Sequence, residues 1–316
     1  MFNRLIRPWN TLTPWPRPGD LVRELSGTMG DGTHPSFAGQ EQRNNSQPSG
    51  PSWRNDTGRP LASGAWLEAH HVAKLPERSA FASRIAERKP RRIVDLGCGT
   101  GLWLQLLSDA VSPDCELLGI DSDEAALASA RLRATAWPQS AEFTALDFET
   151  QANELPDADI FLAFNVFPYI TNLWELLATL KSKIRPGGCL IVRQYDGALL
   201  RIGPMSDRDR QLIDLSLMAS VAGSGQFKHY DLDRVFESVA SSSFHSKEID
   251  FEVFRRVAPY PPEFQNYLLN TVEWTRRHIS DEARERLDAW HLKTGHANAT
   301  SVQSYFMEVD LVAWLS

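Results

Sequence analysis

The chain has 316 residues, 42% of them hydrophobic, with a formal net charge of −7 and a sequence pI near 5.7. That length suits one large α/β domain with additions, or two small domains, with ample apolar material for a core. The acidic balance argues against a nucleic-acid partner, which usually meets a basic surface, and no apolar run approaches the ~20 residues that span a bilayer, so no membrane partner is expected. The opening Met1-Phe2-Asn3-Arg4-Leu5-Ile6-Arg7-Pro8 lacks a long apolar segment and a small-residue cleavage site, which makes it a poor signal peptide. Cys98, Cys115 and Cys189 fall in predicted core strands and turns and read as reduced thiols of a cytoplasmic protein. No Cys/His group has metal spacing, so no metal is expected, and His70-His71 reads as a helix-surface pair.

In chain order, residues 1–63 read as a flexible or loosely docked N-terminal arm. It is rich in Gly, Pro and Ser, with Asn44 to Pro51 the most disorder-like run. Trp9, Trp15, Phe37 and Trp53 are costly to leave in water, which argues for partial docking on the domain or over its site. Residues 64–316 read as one domain. A helical segment opens at Gly64, with Trp66, Leu67, His70, Val72 and Leu75, then Phe81 and Ile85. Strands and helices then alternate. Strands are expected at Ile93–Leu96, Glu116–Asp121, Glu142–Asp147, Asp159–Phe164 and Cys189–Gln194, with helices after Gly101, from Asp123 to about Thr135, and from Leu173 to Ile184. Arg185-Pro186-Gly187-Gly188 stops the last of these. Such alternation implies right-handed crossovers and a parallel sheet covered on both faces. Beyond it come an insertion at about 197–229, a helix from Asp231, a strand from Glu248 to Val257, a helical insertion at about 258–303, and a last strand from Ser304 to Leu315.

The most informative stretch is Val94-Asp95-Leu96-Gly97-Cys98-Gly99-Thr100-Gly101, where the first strand meets its helix. Glycines at 97, 99 and 101 permit a sharp bend and a close ligand approach. A dinucleotide loop, G-x-G-x-x-G/A, would need a small residue where Leu102 stands, and a phosphate-binding P-loop would need G-K-[ST], which is missing. The pattern D-x-G-x-G-x-G resembles motif I of class I S-adenosylmethionine-dependent methyltransferases. The resemblance implies a Rossmann-like, mostly parallel seven-stranded sheet with helices on both faces, closed by a terminal hairpin that the helical insertion interrupts. It also implies S-adenosylmethionine as cofactor. Asp95, Gly97, Cys98, Gly99 and Gly101 would wrap its methionine part. Asp121, followed by Ser122, would accept the ribose hydroxyls. Asp147 and Phe148 would meet the adenine, and Asn165 would lie beneath the sulfonium. The strand-end carboxylate Asp121 is a device shared with nicotinamide-binding folds, so by itself it does not choose between cofactors.

The resemblance implies methyl transfer to a small organic molecule at oxygen, nitrogen or carbon, as in secondary metabolite biosynthesis. Its alternative is an enzyme of the same fold that cyclises or cleaves the cofactor. Candidate catalytic residues are Tyr169 after strand four, Tyr195 after strand five, and His229 as a titratable base. Asn165-Val166-Phe167-Pro168-Tyr169 has one residue too many for the N-P-P-Y motif of amino-directed DNA methyltransferases. Phe227, Tyr230, Tyr260, Phe264, Tyr267 and Trp274 are candidates to line a lid, or to form the core of a helical cap. A homodimer is compatible with all of this.

Overall fold

The computed structural model describes residues 64–196, 201–223, 232–293 and 304–316. The predicted arm of residues 1–63 lies outside the described residues, as do His229, Phe227 and Tyr230.

Two helices lead in, α1 (Gly64–Ala73) and α2 (Leu75–Ala86), separated by Lys74, with a proline in the first turn of α2. They are followed by β1 (Arg92–Leu96), α3 (Leu102–Ala110), β2 (Glu116–Asp121), α4 (Glu124–Ala134), β3 (Ala141–Ala145), β4 (Ala158–Phe164), α5 (Leu173–Lys183) and β5 (Ile184–Tyr195). The remainder comprises β6 (Arg201–Gly203), α6 (Asp207–Gly223), α7 (Leu232–Ser241), β7 (Lys247–Val257), α8 (Pro262–Arg277), α9 (Asp281–Lys293) and β8 (Tyr305–Leu315). Strands β3-β2-β1-β4-β5 are parallel in that order, and β8 adds to β5 antiparallel. β7 then pairs with β8 along its whole length.

The local reasons are conventional. β1 and β4 are short apolar runs buried on both faces, as parallel strands beneath two helical layers must be. Along β4, Phe161 and Ala163 join one apolar layer, with Leu173, Leu177 and Val235, while Ile160, Leu162 and Phe164 join the other, with Phe81, Ile85 and Leu104. Asp123 caps α4 by accepting from the Ala125 N–H at 2.9 Å, and the Asn172 side chain does the same for α5. All three cysteines are buried free thiols. Among the described residues no helix is long and apolar enough to cross a membrane.

The sheet has eight strands rather than the expected seven. β5 pairs with β8 over residues 310–315 only, leaving the start of β8 with an open edge. The three residues of β6 fill it opposite Tyr305, Phe306 and Met307. The fifth strand also begins earlier than expected, at Ile184, through Pro186 and two glycines; its register with β4 is irregular between Ala158 and Ile160. The aromatic residues of the second insertion are core: Tyr260, Phe264 and Tyr267 are buried with Phe254, Phe306 and Ala73 in a third apolar cluster that joins α8 and α9 to α1 and α6.

Candidate active site

The glycine loop sits at the carboxyl end of β1, the edge of an open α/β sheet where ligands bind. Gly97, Gly99 and Gly101 all lie in the left-handed region, with φ of +68°, +53° and +79°. Gly97 and Cys98 donate their N–H groups to the Ile120 carbonyl at 2.7 and 3.0 Å, which ties the loop to the end of β2. The three glycines are required for different reasons. A Cβ on Gly97 would come within 2.2 Å of Val166 Cγ1, and one on Gly101 within 3.1 Å of Ala130 Cβ. A Cβ on Gly99 would meet only Leu67 Cδ1, at 3.9 Å. Packing therefore demands glycine at 97 and tightens the space at 101, whereas at 99 a Cβ would meet no clash among the described residues, as at a ligand cradle.

Two carboxylates flank that cradle. Asp121 accepts from the Gly99 N–H at 2.8 Å through Oδ2 and from the Asp123 N–H at 2.9 Å through Oδ1. A carboxylate offers about four lone-pair sites, so acceptor capacity remains for a hydroxyl donor. Burial holds the Asp121 carboxyl above its ordinary range despite those backbone bonds. Asp95 is 2% exposed, at the end of β1 just before the glycine loop. Burial, with the Asp121 charge adding to it, pushes that carboxyl up to about 8. A buried acid in this state favours a cationic or donating ligand. The Cys98 thiol is turned into the core, where burial raises its pKa, so only its backbone faces the loop. It lies against Gly119, at which a Cβ would come within 2.7 Å of the sulfur and 2.5 Å of the Phe143 ring. Gly119 is a positioning residue that the sequence reading missed; a glycine inside a strand was its available signal.

The other predicted positions fall along the same edge. Asp147 opens a turn, its Oδ1 accepting from Glu149 N–H at 3.1 Å, and Phe148 packs half-buried against the apolar layer beside it. Ser122 is half-buried next to Asp121. Asn165 has φ of +59° and ties β4 to β5: its N–H donates to the Arg193 carbonyl at 2.8 Å and its Oδ1 accepts from Tyr195 N–H at 3.0 Å. Tyr169 ends a single turn, Phe167–Tyr169, and is 39% exposed. Arg234 of α7 holds that turn by donating to the Phe167 carbonyl at 2.7 Å. His229, the proposed base, lies outside the described residues.

Next to Asn165 and Tyr195 is a polar cluster that the sequence reading misassigned. His70 and His71 are not a surface pair: both are buried, because α1 packs against α8 and the ring of His70 stacks on Tyr267 at 4.8 Å. His70, Lys74 and Arg78 follow one another at intervals of four along α1 and α2, and so share one helical face. Lys74 pairs with Glu308, and Arg193 pairs with Asp310 and, at 2.7 Å, with Glu252. Burial pushes Asp310 upward, but Lys74 and Arg193 more than offset it, so its carboxyl titrates below the usual range. A cleft of about 40 Å³ opens among these groups, lined in part by His70, Arg78, Trp103, Asn165, Arg193 and Asp310.

A family model described as a methyltransferase domain matches residues 94–190. The chain is 32% identical to the trans-aconitate 2-methyltransferase of Rhizobium leguminosarum bv. trifolii over 258 residues, covering 80% of this chain and 82% of that protein. It is 36% identical over 130 residues to the enzyme of that name from Acidovorax sp. (41% of this chain, 47% of that one), and 30% identical over 130 residues to the malonyl-[acyl-carrier protein] O-methyltransferase of Halalkalibacterium halodurans (40% and 46%). The chain spans about half the length of most of the curated relatives it matches. Among solved structures it is similar to YcgJ from Bacillus subtilis, with 14% identity, a TM-score of 0.47 and coverage of 76% of this chain and 98% of that one.

The chain belongs to the class I S-adenosylmethionine-dependent methyltransferases. The cradle at Gly99, the buried carboxyl of Asp95 and the acceptor capacity of Asp121 fit the cofactor of that family. Asp121→Ala is expected to weaken S-adenosylhomocysteine binding by about 1.5–3 kcal/mol, the usual value of hydrogen bonds to a charged acceptor. Adenine alone, lacking the ribose, should lose much less in the same titration calorimetry. Equal losses for both ligands would remove Asp121 from the ribose role.

Proposed function

We propose that this chain transfers the methyl group of S-adenosylmethionine to an oxygen of a small organic acid. The observation that carries the reading is the braced glycine loop, with its unclashing position at Gly99, the half-buried Asp121 bonded to it and the buried Asp95 before it. The choice of acceptor rests on the relatives named for trans-aconitate and malonyl-thioester methylation. When bound, the cofactor supplies an activated methyl carbon. Everything else falls to the chain. Asp95 balances the charged amino end, Asp121 orients the ribose, and Asp147 with Phe148 borders the adenine. Asn165 and the end of β5 fix the floor where donor and acceptor meet. An acid reaches the site already ionised, so its oxygen needs no general base; the task left is holding that oxygen in line and excluding water. Tyr195 and Tyr169 border the acceptor side, and His229 is assigned no obligatory proton transfer. The second insertion walls the acceptor side through Tyr267, which stacks on His70.

The test is mass spectrometry of the purified protein with S-adenosylmethionine and a panel of mono-, di- and tricarboxylic acids. The expected products are S-adenosylhomocysteine and an acid heavier by one CH₂. Methylthioadenosine with no methylated acid would mean cleavage or cyclisation of the cofactor, and the reading would be wrong.

A further inference from the structure

Arg78 is a buried guanidinium, 8% exposed, with no carboxylate within ion-pairing distance among the described residues. Its neighbours Lys74 and Arg193 take up Glu308, Asp310 and Glu252. What Arg78 touches instead is neutral: the Nδ1 of His71 at 3.1 Å, the Nδ1 of His70 at 3.4 Å, and the face of Trp103, 5.0 Å from the ring centre. Arginine has no acceptor and stays protonated, so both Nδ1 atoms must accept, which places the proton of each ring on Nε2. Burial, with nearby cations adding to it, keeps both imidazoles neutral. The His70 Nε2–H is then a buried donor, and it has no partner among the described residues. Among the described residues, a guanidinium with no carboxylate and an N–H with no partner therefore border one cleft, whose 40 Å³ exceeds the space a single water needs and is far too small for a whole ring-bearing substrate. Asn165 lines the same cleft, so it adjoins the floor of the donor site.

We propose that Arg78, steered by His70 and His71, is the receptor for a carboxylate of the acceptor molecule, with the planar guanidinium fork taking both oxygens. The two histidines hold part of the fork by accepting from it and thereby fix its plane. The stacked Trp103 supports it from one side. The inference rests on the acceptor being a small organic acid, as proposed above, and adds the residues that select it.

The test is calorimetric binding to the full chain, with and without saturating S-adenosylhomocysteine. The probes are acetate, succinate, tricarballylate and benzoate, together with trimethyl tricarballylate as the uncharged counterpart. At least one acid should bind saturably, and the ester of tricarballylate should bind at least thirtyfold more weakly than its acid. Arg78→Gln should weaken the acid by thirtyfold or more, and Arg78→Lys by a smaller factor, because the charge survives and the fork does not. S-adenosylhomocysteine affinity should stay within threefold in both variants. Since Arg78 has no carboxylate to lose, the melting temperature of Arg78→Gln without ligand should be unchanged or higher. A merely structural arginine would give a lowered melting temperature and an unaltered affinity for the acid. Either wild-type acid affinity in a folded Arg78→Gln protein, or no saturable binding of any acid by the wild type, would overturn the proposal. Should Arg78→Gln fail to fold, the comparison of acid with ester and the Arg78→Lys variant decide it. Failure of the methyltransferase reading would show separately, as absence of S-adenosylhomocysteine binding.

Discussion

Gly97→Ala is expected to destabilise the protein by about 2–5 kcal/mol, whereas Gly99→Ala should fold and fail at the cofactor. Both substitutions put a Cβ on a left-handed backbone, at roughly 1–2 kcal/mol. At position 97 the new atom also meets Val166 Cγ1 at 2.2 Å, a distance no real contact sustains, and Val166 is itself 7% exposed in the apolar layer behind β4. Overpacking of that kind adds typically about 1–3 kcal/mol. At position 99 the new atom would meet only Leu67 Cδ1, at 3.9 Å, among the described residues, so the strain stands alone there. Urea denaturation separates the stabilities, and calorimetry with S-adenosylhomocysteine reads the second effect, where a loss of at least tenfold is expected for Gly99→Ala and more for Gly99→Val. Unaltered cofactor affinity in a folded Gly99→Val protein would remove the loop from the binding site.

The second large effect belongs to Asp95. Its carboxyl, ordinarily near 3.8, is raised to about 8 in the folded chain by burial and by Asp121. Between these values the native protein holds a proton that the unfolded chain has released. Stability from this group is therefore fully present at low pH and declines as pH rises through that window, with a limiting slope of about 1.4 kcal/mol per pH unit. Asp95→Asn keeps the shape and cannot titrate. Its stability should vary less with pH from about 4 to 8, and above pH 8 the variant should be the more stable protein. Cofactor binding should move the opposite way. A cationic ligand end favours the ionised acid, so wild-type affinity should rise between about pH 6 and 8 with release of a proton, and the asparagine variant should bind at least tenfold more weakly at pH 8. Calorimetry in buffers of different ionisation enthalpy measures the proton release. A variant with wild-type affinity at pH 8 would make Asp95 a structural acid only.

Much of the glycine loop and the strand ends around it was legible in the sequence, because its determinants are local. Glycines at alternate positions after a strand require a tight loop, and Asp121, Asp147 and Asn165 follow from counting strand ends. The buried polar cluster was not. His70, Lys74 and Arg78 are polar residues on a helix face, a pattern that ordinarily marks solvent, and their burial depends on Tyr267, Glu308 and Asp310, which reach them only through the fold. On β8 the alternation of Glu308 and Asp310 with apolar neighbours fits a strand with a wet face, yet that face is covered and both side chains are about 4% exposed. The short strand β6 escaped for a related reason: three residues form it only because β8 outreaches β5.

The placement of β8 between β5 and β7 also bears on how the chain assembles. The bond from Gly99 to Asp121 closes a loop of 22 residues, but Arg193 reaches Asp310 across 117. Contacts of long sequence separation are slow to form, since the entropy of closing the loop precedes the gain. The glycine loop can therefore order early, with β1 and β2, while the charged cluster has to wait for β8. Until that strand docks, Lys74 lacks Glu308, Arg193 lacks Asp310 and β5 shows an open edge, the kind of edge that another chain can pair with.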